Sequence, residues 1–221
     1  MLVRIEHSGG VSALTLARPE ARNALSIELC DAIVEALDEI ASDNEARVVV
    51  VRGEGKSFCA GAALGGGFQL ATVCDFRIST DDAVIGIPSS TLGIVVNLEN
   101  VQRLVALCGA AVAKEILMAA RRFTGAEALA AHLVTRSVPV DQFDGVVDDF
   151  ARSIAALAPI SVGGAKQAIQ LVVDRMTNTR AGDPDSAAAF DEVVAAAYRS
   201  SDLAEGLRAA AAQQSPRFTG S

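Results

Sequence analysis

The sequence predicts an α/β fold in a single domain, with strands and helices alternating in the first half and helices filling the second. Before residue 97, short β-rich runs flank one segment whose apolar residues recur at helical spacing. From Asn97 onward, helical spacing recurs in one segment after another. No internal repeat or long linker divides the 221 residues, which are enough to bury one sizeable core.

The first half begins with a predicted β-hairpin, because Ser8-Gly9-Gly10 separates two β-rich runs. Ser26 is placed to cap a helix that ends at Asp43-Asn44. The run of valines after that helix predicts a strand covered on both faces. The predicted strands of this half are Leu2–His7, Val11–Ala17, Arg47–Arg52, Phe76–Ser79 and Ala83–Ile87.

The second half predicts helices only. Asp202, followed by Glu205 three residues later, is typical of a helix cap with its capping box. The predicted helices are Leu98–Leu107, Ala111–Ala120, Ala126–His132, Phe143–Ala156, Val162–Met176, Asp185–Ser200 and Asp202–Gln213.

The composition excludes several classes of function. A net charge of −8 without any basic run argues against nucleic-acid binding. Four scattered cysteines and two histidines, with no C-x-x-C pair, argue against a metal site and favour a reducing compartment. The N-terminus lacks the apolar segment of a signal peptide, and no apolar run approaches the length of a membrane span. We therefore expect a cytoplasmic enzyme or binding protein.

Two glycine-containing stretches resemble phosphate-binding motifs, but neither has the spacing that such a motif requires. Gly55-Lys56-Ser57 ends like a phosphate loop, but Val50 stands where that motif needs its first glycine. The run from Gly61 to Gly67 lacks the G-x-G-x-x-G spacing of a dinucleotide site. Bare backbone N–H groups that open a helix near Gly66 would instead suit a developing oxyanion. An ordinary glycine loop is the alternative.

Several segments occur in an order that resembles one family. They are RPEARNALS (18–26), GKSFCAGA (55–62), ALGGGFQLATVCDFRIS (63–79), the P-x-x-x-LGI segment (88–94), QRL (102–104), FTGAEALAAHLVTRSV (123–138) and SSDLAEG…SPRFTG (200–220). Across nearly its whole length, the chain looks like a member of the crotonase, or enoyl-CoA hydratase/isomerase, superfamily.

The resemblance implies a crotonase-like ββα spiral core with a helical C-terminal region that assembles a trimer or a dimer of trimers. It implies an acyl-CoA thioester substrate, with no cofactor beyond the coenzyme A that the substrate carries. The backbone N–H groups of Ala62 and Gly66 would bind the thioester oxygen and stabilise an enolate. Arg22, Ala24 and Ala60 match positions that line the coenzyme A tail.

Two positions depart from the hydratase pattern. Gln69 stands where hydratases carry a glutamate in GGG-x-E, and Ser89 stands where a second glutamate follows the proline of G-x-P-E. Hydration needs one group to activate water and another to protonate the α-carbon. A neutral amide cannot act as a base, and a serine without a partner is a poor one. The resemblance therefore covers the thioester site but not hydratase chemistry, and Ser89 also counts against isomerase activity.

A third departure offers a replacement. The glycine-rich turn that usually precedes QRL is Val95–Asn100 here, and other activities of the family place an acid–base residue in this turn. Glu99, with Asn97, is therefore the candidate. The alternative is an ordinary acidic residue in the first turn of a helix. Arg103 and Arg217 are candidates for contacts to coenzyme A phosphates, or else surface or intersubunit charges.

The junction between Ala62 and Ala63 departs from the family as well. Relatives usually place a few dozen residues there, including a strand and a mobile loop over the active site. A continuous run leaves no room for that strand, since a chain extends by at most about 3.5 Å per residue. We therefore expect that a segment is absent from this numbered sequence.

The leading interpretation is an acyl-CoA-processing enzyme that uses Ala62, Gly66 and Glu99. Hydratase or isomerase is the family's default activity, and decarboxylation through the same enolate is another route. A non-catalytic acyl-CoA-binding homologue is the alternative, and a purely structural oligomer subunit is a third.

Overall fold

The computed structural model describes residues 1–59, 65–177, 195, 198–214 and 216. Its strands are β1 (Val3–Ser8), β2 (Val11–Leu16), β3 (Val48–Gly53), β4 (Ile78–Thr80), β5 (Val84–Ile85), β6 (Phe123–Thr124) and β7 (Arg136–Val138). Its helices are α1 (Ile27–Ser42), α2 (Gly66–Thr72), α3 (Leu98–Leu117), α4 (Gly125–Ala130), α5 (Phe143–Ala155), α6 (Pro159–Thr177) and α7 (Ser201–Ala211), with short 3₁₀ turns at Pro19–Ala21 and Val140–Gln142.

The predicted hairpin and first helix are confirmed. β1 pairs antiparallel with β2, and β3 joins β2 in parallel, giving the sheet order β1-β2-β3. The connection between β2 and β3 is α1, whose cap is Ser26: its hydroxyl accepts a hydrogen bond from the N–H of Leu29 at 3.3 Å. One side of α1 packs on the sheet and forms the first core cluster with Leu14 and Leu16.

The expectation of a strand covered on both faces holds only in part. Val48, Val50 and Val51 of β3 are half-buried, whereas Val49 is 40% exposed. The reason is position, because β3 is an edge strand of its three-stranded sheet. A continuous run of valines is typical of an interior strand, so the sequence predicted more burial than this edge strand has.

The prediction that only helices follow Asn97 is wrong. β6 pairs antiparallel with β5, and β7 pairs parallel with β4, so two strands of the second half bind strands of the first. Strands of two or three residues are too short to show a period of two in the sequence. They position the second core cluster, in which Phe68 and Ile85 pack with Leu104, Ile116 and Phe123.

The helical predictions are otherwise close. α3 is interrupted at Gly109, whose φ of 74° and ψ of 163° are not helical, so the predicted break between Leu107 and Ala111 is confirmed. Most of the predicted helix Asp185–Ser200 lies outside the described residues. No described helix is both long enough and apolar enough to cross a membrane.

The cap of α7 differs from the prediction. Ser200, not Asp202, accepts the hydrogen bond from Leu203 N–H, at 3.2 Å. Asp202 lies instead in the first turn, where the helix dipole favours an acid. Glu205 binds the Arg208 guanidinium one turn later, at 2.7 Å. Serine and aspartate cap helices about equally well, so the sequence did not distinguish the two positions.

α7 closes over the loop that follows Ser89 by packing two glycines against backbone. A Cβ added to Gly206 would lie 2.5 Å from the carbonyl oxygen of Leu92, and one added to Gly93 would lie 2.8 Å from the carbonyl carbon of Asp202. Gly93 also has a φ of 70°, which favours glycine. The packing of this C-terminal helix therefore depends on bare backbone.

Replacing Gly206 with alanine is expected to push α7 off the Leu92 carbonyl and lower the free energy of unfolding by about 1–3 kcal/mol. Thermal unfolding measures the loss, and limited proteolysis should cut the C-terminal segment sooner. Ala204→Ser, at an exposed position of α7, is the control and should stay within about 0.5 kcal/mol of the parent. Parental stability of Gly206→Ala would contradict this packing.

Candidate active site

The site is built around a fully buried asparagine in the loop between β2 and α1. Arg22 and Asn23 both have left-handed backbone, with φ of 52° and 55°, which bends the loop sharply. The Asn23 side chain accepts a hydrogen bond from Arg18 N–H at 2.8 Å and donates to the carbonyls of Glu54 and Ser57 at 3.0 and 2.8 Å. These bonds hold the segment after β3 against this loop.

Cys59 continues that segment and meets the start of α2. Its thiol donates to the Asn23 carbonyl at 3.0 Å. A Cβ added to Gly67 would lie 2.6 Å from the Cys59 Cβ and 2.7 Å from the Cys59 carbonyl oxygen, so only glycine allows this approach. Burial raises the pKa of the Cys59 thiol, which favours the neutral thiol over a nucleophilic thiolate. Cys59 therefore serves packing, and the two small-residue segments lie side by side.

The first turn of α2 carries the predicted donor Gly66. Gly65 N–H donates to the Gly86 carbonyl at 3.0 Å, which ties this turn to the segment that leads into Ser89. Gly67 and Phe68 are buried, whereas Gly66 is exposed and lies beside Leu25. The helix start predicted near Gly66 is confirmed.

Gln69 belongs to a polar chain with the first turns of α3. Arg103 Nη1 donates to Asn100 Oδ1 at 3.0 Å, and Asn100 Nδ2 donates to Gln69 Oε1 at 3.1 Å. Asn97 is the cap of α3, and its Oδ1 accepts from Asn100 N–H at 3.1 Å. The Asn97 side chain is thus engaged in capping, and Arg103 is engaged with Asn100.

Ser89 lies in a tight turn in which its carbonyl accepts hydrogen bonds from the N–H groups of Leu92 and Ile94, both at 3.0 Å. The residue is 6% exposed. The described residues offer its hydroxyl no hydrogen-bond partner that would activate it as a base. That Ser89 does not replace a catalytic glutamate stays a prediction.

The structure brings some of the predicted residues together and leaves others apart. Gly66 and Gln69 share the first turns of α2, and Ala24 precedes Leu25, which contacts Gly66. Arg22 and Glu99 are exposed, and no hydrogen bond among the described residues joins either one to the Gln69 amide, which bonds Asn100. Ala60, Ala62 and Arg217 lie outside the described residues.

Sequence reasoning missed Asn23 and Asn100. A signal existed for Asn23, because asparagine tolerates left-handed backbone and stood inside the RNAL segment. A weaker signal existed for Asn100, which lies three residues before Arg103 and therefore on the same side of the helix. In the part of the chain that the structure describes, no three His, Cys, Asp or Glu side chains group as a metal would require.

Comparison with known proteins identifies the family. The model of the enoyl-CoA hydratase/isomerase family matches residues 6–64 and 60–221. The chain belongs to this family, the crotonase superfamily. YngF of Bacillus subtilis (strain 168), which is named for the same family, is 30% identical over 249 residues, covering 94% of this chain and 92% of YngF.

One further relative and one solved structure extend the comparison. Enoyl-CoA hydratase domain-containing protein 2 of Bos taurus, mitochondrial by its name, is 29% identical over 258 residues, covering 96% of this chain and 85% of that protein. The crystal structure of a methylmalonyl-CoA decarboxylase superimposes with a TM-score of 0.90 at 20% identity, covering 100% of this chain and 99% of the other. That likeness confirms the predicted α/β crotonase fold. The cytoplasmic location and the trimeric assembly stay predictions.

The two stretches of the family match overlap at the junction between Ala62 and Ala63. The overlap covers residues 60–64, which lie outside the described residues. The described residues Cys59 and Gly67, on either side of this stretch, are in contact. The absent segment between Ala62 and Ala63 stays a prediction.

Proposed function

We propose that this chain is an acyl-CoA-processing enzyme that stabilises a thioester enolate with backbone N–H groups of Ala62 and Gly66. The observation that supports it is the packing of Cys59 on Gly67, since the segment leading to Ala62 lies against the turn that carries Gly66. Preorganised N–H donors stabilise charge that develops on an oxygen in the transition state. Family membership supplies the substrate class, acyl-CoA thioesters.

Coenzyme A would enter beside the loop that Asn23 holds. In this proposal, Arg22 and Ala24 line the tail together with Ala60. The Arg22 side chain is exposed and carries a positive charge on a protein whose net charge is −8, which suits a phosphate-bearing ligand. No cofactor is proposed beyond the coenzyme A of the substrate.

The proposal is tested by incubating the purified protein with a panel of saturated, unsaturated and carboxylated acyl-CoA thioesters and analysing the products by mass spectrometry. Conversion of at least one thioester is the expected result. Binding without any product would favour a non-catalytic acyl-CoA-binding protein instead. Absence of binding across the panel would contradict both and leave a structural subunit.

Glu99 is the proposed acid–base residue. It lies in the first turn of α3 directly before Asn100, whose side chain contacts Gln69, and it is exposed to solvent. Glu99→Gln is expected to lower kcat by about a hundredfold or more, because general acid–base groups contribute that much, while the Kd for acyl-CoA stays the same. Turnover is measured with the thioester that the panel identifies.

Glu115→Gln provides the control for Glu99, since this half-buried acid lies in the part of α3 beyond the interruption at Gly109. Glu115 forms an ion pair with Arg121, and no hydrogen bond among the described residues joins it to the polar chain of Gln69 and Asn100. The control therefore removes an acid from α3 without changing the acid next to Asn100. Unchanged turnover in Glu99→Gln would remove Glu99 from the mechanism.

A further inference from the structure

We propose that Gln69 presents its side-chain NH₂ group to the acyl part of the substrate, and that this acyl group carries a free carboxylate, as a malonyl-type thioester does. The inference rests on the proposed function and specifies its substrate class. It follows from the direction of the hydrogen bonds that join Gln69, Asn100 and Arg103, called here the amide relay.

The amide relay has only one chemically consistent direction. A guanidinium donates hydrogen bonds and cannot accept them, so Arg103 faces the oxygen of the Asn100 side chain. The amide nitrogen of Asn100 is then left to donate, and it meets Gln69 Oε1 at 3.1 Å. The capping bond from Asn97 to the backbone of Asn100 fixes the turn that carries this side chain. Arg103 thereby decides which end of the Gln69 amide is free.

The free end of Gln69 is a donor. Its Oε1 accepts a hydrogen bond from Asn100 Nδ2, and the described residues provide no acceptor for its Nε2. The side chain is half-buried, and it lies three residues after Gly66, on the same side of α2. A ligand held at Gly66 N–H would therefore have the Gln69 amide beside it.

A donor at this point selects for an acceptor on the substrate. The resemblance implies a carboxylate here in hydratases, which accepts a proton from water, whereas the group of Gln69 that has no partner among the described residues is its NH₂, which donates hydrogen bonds. Hydrogen bonds polarise one another along a chain, and this chain begins at a cation, so its last donor favours a negatively charged acceptor. Among acyl groups, a second carboxylate provides that acceptor. Asn100 and Arg103 are accordingly positioning residues, and Gln69 determines specificity.

The first test compares the affinities for malonyl-CoA and butyryl-CoA by isothermal titration calorimetry. The parent protein is expected to bind malonyl-CoA about tenfold more tightly, as one hydrogen bond to a charged group provides. Gln69→Met should bring the ratio of the two affinities to about one. Gln142→Met, at an exposed position in the 3₁₀ turn before α5, is the control and should keep the parental ratio.

The second test reverses the relay at its surface end, where Arg103 is exposed and a substitution leaves the core untouched. Arg103→Lys keeps a donor and should preserve the preference for malonyl-CoA. Arg103→Glu offers an acceptor, so the Asn100 amide turns, the Gln69 amide turns with it, and Oε1 faces the ligand. That variant should bind butyryl-CoA at least as tightly as malonyl-CoA. A purely structural role for Arg103 would change both affinities alike.

The outcomes separate this inference from the proposed function. Binding of both thioesters with equal affinity, or an unchanged ratio in Gln69→Met or Arg103→Glu, would overturn the amide relay and leave the acyl-CoA function intact. Absence of binding to either thioester would overturn both. Melting temperatures of the variants within a few degrees of the parent ensure that the ratios report on folded protein.

Discussion

Asn23→Ala is expected to lower the free energy of unfolding by about 3–4 kcal/mol, because it leaves three partly buried backbone groups without their partner. The lost bonds are those to Arg18 N–H and to the carbonyls of Glu54 and Ser57. Alanine also tolerates the φ of 55° less well than asparagine does. The melting temperature should fall by about 10 °C for a chain of this length.

Activity should fall with stability, since the Asn23 bonds hold the segment that leads to Cys59 and onward to the proposed oxyanion donors. Asn23→Asp keeps the acceptor for Arg18 N–H but places a carboxylate oxygen against the carbonyl oxygens of Glu54 and Ser57, so it should be as damaging as alanine. Asn44→Ala, at an exposed turn position, is the control and should change stability by less than about 0.5 kcal/mol. Differential scanning calorimetry measures the melting temperatures of the three variants. A melting temperature of Asn23→Ala within about two degrees of the parent would contradict the stabilising role of the Asn23 hydrogen bonds.

Gly67→Ala is expected to separate the two halves of the proposed site. The added methyl would lie 2.6 Å from Cys59 Cβ and 2.7 Å from a backbone oxygen that cannot rotate away. Relief requires α2 or the Cys59 segment to move, and a displacement of about 1 Å at a catalytic site lowers turnover by about a hundredfold. The overpacking should also lower stability by about 1–3 kcal/mol.

Gly145→Ala is the matched control for Gly67→Ala. Gly145 lies in α5, and a Cβ added there meets no atom within 4 Å. Alanine should be neutral at that position or stabilise the helix by up to about 1 kcal/mol. Steady-state kinetics with the active thioester and thermal unfolding provide the comparison. A Gly67→Ala variant with parental kcat/KM and melting temperature would mean that Cys59 and Gly67 do not need this close approach.

The fold was largely accessible from the sequence where the signals are local. The turn at Gly9-Gly10, the cap at Ser26 and the helical spacing after it involve neighbours a few residues apart, and each was predicted correctly. The prediction failed at β6 and β7, whose short strands exist because they pair with β5 and β4 far away in the sequence. The predicted cap of α7 was wrong for a different reason, since Ser200 and Asp202 are both good capping residues.

Some features of the candidate site were predicted from local motifs, and others depend on the tertiary structure. The glycine that begins α2 was predicted from its motif alone, and the prediction that Gln69 and Ser89 stand where hydratases carry carboxylates rests on motifs as well. The direction of the amide relay was not recognisable, because Asn100 and Gln69 are both amides that donate and accept equally well. Only the position of Arg103 next to Asn100 decides which atom faces which.

By itself, the sequence determined the order of the local elements, the family, and the absence of carboxylates at positions 69 and 89. The tertiary structure decided that Asn23 clamps the segment after β3, that Cys59 packs on Gly67, and that Asn100 turns the Gln69 amide. The physical reason is the distance along the sequence over which each interaction acts. Caps and periodicity depend on neighbouring residues, whereas a buried polar side chain is satisfied by whichever distant backbone the fold brings to it.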